Sequence, residues 1–209
     1  MLIGHRGCSE QGYTENTIES IKYAQQHCDM VEIDVRLTRD QQLVVYHDYS
    51  LLKLHNVDRR ICDCRYTELQ QYNIPLLKDV LDIITKKVYI DIKGWRILVV
   101  ENLIELLRTY PHNIPNKNIY IASFNYVFIN YLTNRTSLYN YGFIIDSVEP
   151  NVIIPHHVNF IAITYEYRNC YSYIKKPKYI YTVNSIKDGT KILQAFDGLI
   201  TDIPTLFSS

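Results

Sequence analysis

Met30-Val31-Glu32-Ile33-Asp34-Val35, the turn Thr38-Arg39-Asp40-Gln41-Gln42, and Leu43-Val44-Val45-Tyr46-His47 together form the stretch on which the fold is decided. The two outer segments are β-branched, apolar runs of strand length. The polar segment between them is far shorter than the dozen or more residues needed to bring a chain back parallel, so the runs pair as an antiparallel hairpin. With the turn centred near Asp40–Gln41, residue 47 falls opposite residue 34 to within one or two residues, and Asp34 becomes a neighbour of His47. Glu32 and Asp34 stand two apart and point to one face, with Ile33 on the other. Two acids on one face of an apolar strand are costly in a packed core and mark a site.

Outward from this hairpin, short apolar strands alternate with segments of helical period. Strands are expected at Leu2–His5, Met30–Val35, Leu43–His47, Val88–Ile92, Asn118–Ala122, Tyr141–Ile145, Asn159–Ile163, Lys178–Val183 and Gly198–Thr201. Helices are expected at Asn16–His27, Leu77–Thr85, Arg96–Tyr110, Phe124–Leu132 and Ile186–Phe196, with Pro111 stopping the third. Alternation of this kind is the pattern of an α/β fold with parallel strands. Nine strands are one more than a (β/α)8 TIM barrel holds, and the hairpin accounts for the surplus by extending strand two. The expectation is therefore one small barrel domain over residues 1–209. Barrels of this class run to about 250 residues, so some loops and helices must be short and the final helix much reduced or absent. The flank left behind is either bare or covered by an oligomeric partner.

Lys plus Arg and Asp plus Glu balance at 22 each, giving a formal net charge of zero. A neutral chain has no bulk attraction for nucleic acid or anionic membrane. The 19 tyrosines, with abundant Ile, Asn and Lys, read as the codon usage of an AT-rich genome. Five scattered cysteines fit a reducing compartment. No signal-peptide core and no membrane-length apolar run stand out, so the expectation is a cytoplasmic protein without a stable membrane anchor.

Catalytic groups of such barrels gather at the carboxyl ends of the strands. Those ends carry His5 and Arg6, Glu32 and Asp34, His47 and Asp48, Asp91 and Lys93, Ser123, Asn184 and Asp202. Three converging carboxylates, Glu32, Asp34 and Asp91, repel one another unless a cation sits among them, and all-oxygen ligation favours one Mg²⁺ or Ca²⁺ ion. His5 and His47 suit general acid–base work, because they titrate near working pH. Arg6 and Lys93 supply positive charge for an anionic group such as phosphate. Glu15 and Asn16 precede the first helix and read as capping or site support, and Asp48, Ser123 and Asn184 as hydrogen-bonding support. Asp202 divides between such support and strand-end turn chemistry. Trp95 either rims the pocket or starts a helix.

The sequence resembles the glycerophosphodiester phosphodiesterase family. The resemblance is carried by Gly4-His5-Arg6-Gly7, Glu15-Asn16-Thr17, Val31-Glu32-Ile33-Asp34-Val35, Thr38 with Asp40, and His47-Asp48. Further on come Ile74-Pro75-Leu76-Leu77, Ile90-Asp91-Ile92-Lys93, Ser123-Phe124, Thr182-Val183-Asn184 and Ile200-Thr201-Asp202-Ile203-Pro204. These stretches keep the family's order over nearly the whole chain. The resemblance implies metal-dependent hydrolysis of a small glycerophosphodiester to glycerol 3-phosphate and an alcohol, with Glu32, Asp34 and Asp91 on the metal. His5 and His47 are implied as the acid–base pair, and Arg6 and Lys93 as the phosphate contacts. Attack by the substrate's own hydroxyl, giving a cyclic phosphate, is an alternative to attack by water. Asp91 stands where the family usually has Glu, and Tyr181 where Trp is frequent. The segment from Tyr49 to Asn73 is shorter than the family's usual insertion, which implies an open pocket. Two alternatives stand beside the hydrolase: a phospholipase-D-like enzyme acting on lysolipids, and an inactive barrel that binds phosphorylated ligands. The first needs an apolar rim, and the sequence offers no evident one.

Overall fold

The computed structural model describes residues 1–148 and 152–208. Among the described residues nine strands form: β1 (Leu2–Gly4), β2 (Met30–Leu37), β3 (Leu43–Val45), β4 (Lys87–Ile92), β5 (Ile119–Ser123), β6 (Asn140–Ile145), β7 (Phe160–Thr164), β8 (Lys178–Tyr181) and β9 (Gly198–Thr201). Eight of them are parallel and close on themselves, because β9 pairs with β1 and β1 with β2. The ninth, β3, lies antiparallel on β2. This is the expected (β/α)8 barrel with a hairpin on its second strand.

β2 makes that arrangement possible by being eight residues long. One of its edges pairs with β4 from Met30 to Val35. The other pairs with β1 at Met30 and Val31, then with β3 at Val35–Leu37. The hairpin register falls within the expected margin, one residue from its centre: the Tyr46 amide, not that of His47, donates to the Asp34 carbonyl at 2.9 Å. The cause is a Thr38 amide that closes on the Gln42 carbonyl, centring the turn on Asp40. The Thr38 hydroxyl locks it by bonding Asp40 Oδ1 at 2.6 Å.

Helices α1 (Ile18–His27), α2 (Leu52–His55), α3 (Tyr66–Leu69), α4 (Leu77–Ile83), α5 (Leu98–Thr109), α6 (Tyr126–Thr133) and α7 (Ile186–Ala195) surround the barrel. Their starts follow the cap chemistry of the sequence. Thr17 and Ser20 form a capping box at α1, and Asn125 and Ser185 accept backbone N–H groups at α6 and α7. α1 therefore starts at Ile18, two residues later than expected, because Asn16 sits at φ 60° outside the helix. Among the described residues, the β6–β7 and β7–β8 connections hold no α-helix, which is where the chain saves length. Among the described residues, no final α-helix follows β9. A turn at Pro204–Leu206 lies against α1 and β1, and the Phe207 ring covers Gly189 of α7, where an added Cβ would lie 2.2 Å from it. The tail itself thus lies over the flank that was expected to be bare or covered by a partner.

Three apolar layers result. Ile33, Val35, Ile90 and Ile92 pack outward against the helices, as the strand alternation requires. Inside the barrel lie Ile3, Met30, Tyr89, Phe160, Tyr179 and Ile200. The Phe160 ring stacks on Tyr179 at 4.8 Å and meets Tyr89 edge-on at 5.5 Å. It fits because Gly142 leaves room: a Cβ there would sit 2.2 Å from the ring. Several tyrosines are therefore structural fillers of the barrel as well as products of composition. The third layer joins Val44 and Tyr46 to Leu51, Ile61, Leu69 and Ile74 of the segment after β3. Among the described residues, no helix is long and apolar enough to cross a membrane.

Candidate active site

Gly4-His5-Arg6-Gly7 turns sharply over the end of β1. A Cβ on Gly4 would lie 2.5 Å from the Gly7 carbonyl oxygen, and one on Gly7 would lie 2.5 Å from Ser20 Oγ. Between them Arg6 is held at φ 52°, a conformation that costs a non-glycine residue about 1–2 kcal/mol. Two bonds hold it there. The Arg6 amide donates to Glu32 Oε2 at 2.7 Å, and the Asn16 amide donates to the Arg6 carbonyl at 2.8 Å. The Arg6 side chain then reaches Glu15 Oε1 at 2.9 Å and lies 3.4 Å from Asp34 Oδ2.

Glu32, Asp34 and Asp91 are all buried, and Asp34 and Asp91 are paired across β2 and β4. One oxygen from each lies within 4.8 Å of the others. Lys93 Nζ bridges two of them, at 2.6 Å from Asp91 Oδ2 and 3.2 Å from Asp34 Oδ1. Asn16 clamps Asp34 from the other side, donating from Nδ2 to Oδ2 at 2.8 Å and accepting the Asp34 amide at 3.2 Å. Burial and the neighbouring Asp34 charge push Glu32 up to about 8. Burial pushes Asp91 up too, against the pull of Lys93, to about 6. Burial also acts on Asp34, but Lys93, His47, Arg6 and the Asn16 bond override it and hold that carboxyl low. Asp91 Oδ1 is buried and accepts no hydrogen bond. An orphaned carboxylate oxygen among three buried acids is the donor set a hard divalent cation fits.

The two histidines are oriented by carboxylates on their far sides. His5 Nδ1 lies 2.6 Å from Asp202 Oδ1, and Asn184 Nδ2 holds the other Asp202 oxygen at 2.6 Å. Asn184 Oδ1 also accepts from the Asp202 amide and the Thr201 hydroxyl, both at 3.0 Å. His47 Nδ1 lies 2.7 Å from Asp48 Oδ1, and Arg36 Nε donates to the His47 carbonyl at 2.8 Å. In each pair the bonded Nδ1 leaves Nε2 free for chemistry. Burial disfavours the charged form of His5, but Asp202 and the Glu32 charge outweigh it and raise its pKa. Around His47 burial wins, helped by Lys93 and Arg6 against Asp34, and its pKa is lowered.

These groups meet in a cavity of about 140 Å³ lined by His5, Arg6, Glu32, Asp34, His47, Asp91 and Lys93, with Tyr89, Phe124 and Tyr181 as walls. A wider cleft of about 780 Å³ adjoins it through Lys93, Phe124 and Ile144, and runs past Arg36, Tyr49, Trp95 and Tyr126. Glu15 and Asn16 hold Arg6 and Asp34, while the cap role falls to Thr17. Ser123 sits beside the site, donating to the Ile92 carbonyl at 2.8 Å. Trp95 rims the wider cleft and starts no helix. The sequence offered no evident apolar rim, yet Tyr49, Trp95 and Tyr126 line that cleft with exposed rings, each from a different stretch of the chain. Two contacts escaped the sequence reading. Asp202 partners His5 because barrel closure sets the last strand beside the first, and the Thr201-Asp202-Ile203-Pro204 strand end was the available signal. Arg36 lines the cleft from the face of β2 that it shares with Glu32 and Asp34, a position no motif marks.

A parallel eight-stranded barrel with buried acids, two carboxylate-held histidines and two cations at its carboxyl-end mouth defines a barrel hydrolase-type site for an anionic substrate. The profile of the Glycerophosphoryl diester phosphodiesterase family matches residues 5–196, and the chain belongs to that family. A glycerophosphodiester phosphodiesterase of Caldanaerobacter subterraneus is 27% identical over 236 residues, covering 98% of this chain and 94% of that protein. Human lysophospholipase D is 31% identical over 129 residues, 52% of this chain and 41% of the human protein, so the match spans under half of that relative. The crystal structure of a glycerophosphodiester phosphodiesterase from Thermotoga maritima superposes with a TM-score of 0.81 at 26% identity, covering 99% of this chain and 96% of that one.

Proposed function

We propose that the chain acts as one barrel domain hydrolysing glycerophosphodiesters to glycerol 3-phosphate and an alcohol, with Glu32, Asp34 and Asp91 holding one Mg²⁺ or Ca²⁺ ion. The observation that carries this reading is the convergence of the three buried carboxylates with His5, His47, Arg6 and Lys93 in one cavity. When bound, the ion would offset the carboxylate charge and polarise the phosphoryl oxygens. Arg6 and Lys93 hold the phosphate and stabilise the charge it gains as the nucleophile adds. His47, with its lowered pKa, is neutral and takes a proton from the attacking water, whose oxygen forms the new bond to phosphorus. His5, with its raised pKa, carries the proton that passes to the departing alcohol as the phosphorus–oxygen bond breaks. Asp202 and Asn184 keep the His5 ring turned for that transfer. Five free thiols support action in a reducing compartment, the cytoplasm.

A second reading, hydrolysis of a monoacylated lysolipid, is favoured by the wide cleft beside the catalytic cavity, whose aromatic and aliphatic walls suit an acyl chain. Phosphorus NMR with glycerophosphocholine or lysophosphatidylcholine, each with Mg²⁺, Ca²⁺ or EDTA, separates the two. Metal-dependent glycerol 3-phosphate from glycerophosphocholine is the expected outcome. Turnover of the lysolipid alone moves the substrate to the second reading, and metal binding without turnover of either refutes both. A His5→Ala variant that still cleaves a nitrophenyl ester but not the choline ester supports the acid role, because nitrophenolate leaves without a proton. Equal loss on both esters overturns that role.

A further inference from the structure

Several large exposed apolar side chains lie in the connections that leave the strands. Trp95 follows β4 and is 86% exposed, and Ile153 between β6 and β7 is 70% exposed. Tyr49 after β3, and Tyr126 with Val127 after β5, also stand out from the surface. Tyr49, Trp95 and Tyr126 ring the mouth of the 780 Å³ cleft. Charges beside them are of both signs: Arg60 pairs with Asp63 and lies 5.9 Å over the Tyr49 ring, Arg59 pairs with Glu68 at 2.8 Å, and Arg96 next to Trp95 is offset by the opposite charge of Asp146 on the cleft wall. The formal net charge of the chain is zero.

We propose that this rim docks the protein on an electrically neutral lipid surface, with Trp95 entering the headgroup zone first. Amphipathic rings such as Trp and Tyr favour that zone, and paired charges give no reason to prefer an anionic surface. A second copy of the chain, or another protein, seated here would cover the cleft that leads to Lys93 and the catalytic cavity. A lipid surface instead leaves the mouth facing the place where amphiphilic phosphodiesters reside. The choice of a lipid occupant rests on the hydrolytic reading, but docking is measured without turnover, so the two can fail separately.

Trp95 is the only tryptophan in the chain, so it reports its own environment. Titration with phosphatidylcholine vesicles under selective tryptophan excitation is expected to shift the emission to the blue and to bring quenching by brominated acyl chains. Co-sedimentation with the same vesicles is expected to fall about tenfold or more in Trp95→Glu and in Ile153→Asp, the scale for removing one large apolar side chain from a lipid interface. Both positions are exposed, and unchanged circular dichroism checks the fold of each variant. Emission that stays solvent-like while the protein remains in the supernatant overturns the proposal. So does binding confined to anionic vesicles and abolished by salt. A blue shift without lipid that grows with protein concentration assigns the rim to a second copy and overturns it equally.

Discussion

Removing divalent cations should make the fold sensitive to pH in one direction. Glu32 goes from an ordinary 4.5 to about 8 on folding, through burial and the nearby Asp34 charge. A carboxyl that binds its proton more tightly in the folded state stabilises the fold most at low pH, and that stability drains away between 4.5 and about 8. At about 1.4 kcal/mol per tenfold in proton affinity, the full swing is on the order of 3–5 kcal/mol. Asp91, raised to about 6, acts with the same sign, as does His5. His47, lowered, opposes them just below its ordinary 6.5. Asp34, held low, adds stability throughout this window and leaves the slope unchanged. For a chain of this length the swing corresponds to roughly 10 °C in melting temperature. Thermal unfolding in EDTA from about pH 5 to about pH 8 should show that fall, and Mg²⁺ or Ca²⁺ should flatten it by replacing the proton among the carboxylates. A flat melting curve in EDTA, or a fall that neither ion alters, would refute the cation site.

Two further changes test the reasoning elsewhere. Asp202→Asn removes a charge-assisted bond to His5 worth about 1.5–3 kcal/mol, so kcat should drop roughly tenfold to a hundredfold. The same change lowers the His5 pKa, so the alkaline limb of the pH–rate profile should move to lower pH; an unmoved limb would remove His5 from the acid role. Phe160→Ala empties the centre of the barrel, where the ring meets Tyr89, Tyr179 and Gly142, and should cost about 3–5 kcal/mol in urea unfolding. A loss under 1 kcal/mol, well below the range for such a truncation, would mean the interior refills.

How much was legible differs between fold and site. The hairpin could be read from chain length alone, because five polar residues cannot bridge parallel strands. Its register lies one residue from the expected centre, because a hydroxyl–carboxylate bond between Thr38 and Asp40 chose the turn, and propensity does not resolve that choice. Asn16 read as a cap or as site support because it precedes an amphipathic run; a positive φ and two bonds to Asp34 give it to the site. The rim was missed because Tyr49, Trp95 and Tyr126 come singly from distant parts of the chain and meet only at the cleft.

The sequence by itself determined which residues face inward. Strand alternation sets Glu32, Asp34 and Asp91 on one side and Ile33 and Ile92 on the other whatever surrounds them, since side-chain direction is a local property of the backbone. Only the tertiary structure decided who meets whom. Closure of β9 on β1 brings Asp202 to His5, 197 positions away. The β2–β4 register sets Asp91 beside Asp34 with Lys93 between them. Charge coupling and desolvation depend on distances of a few ångströms across the barrel, and those distances exist only once the ring of strands has closed.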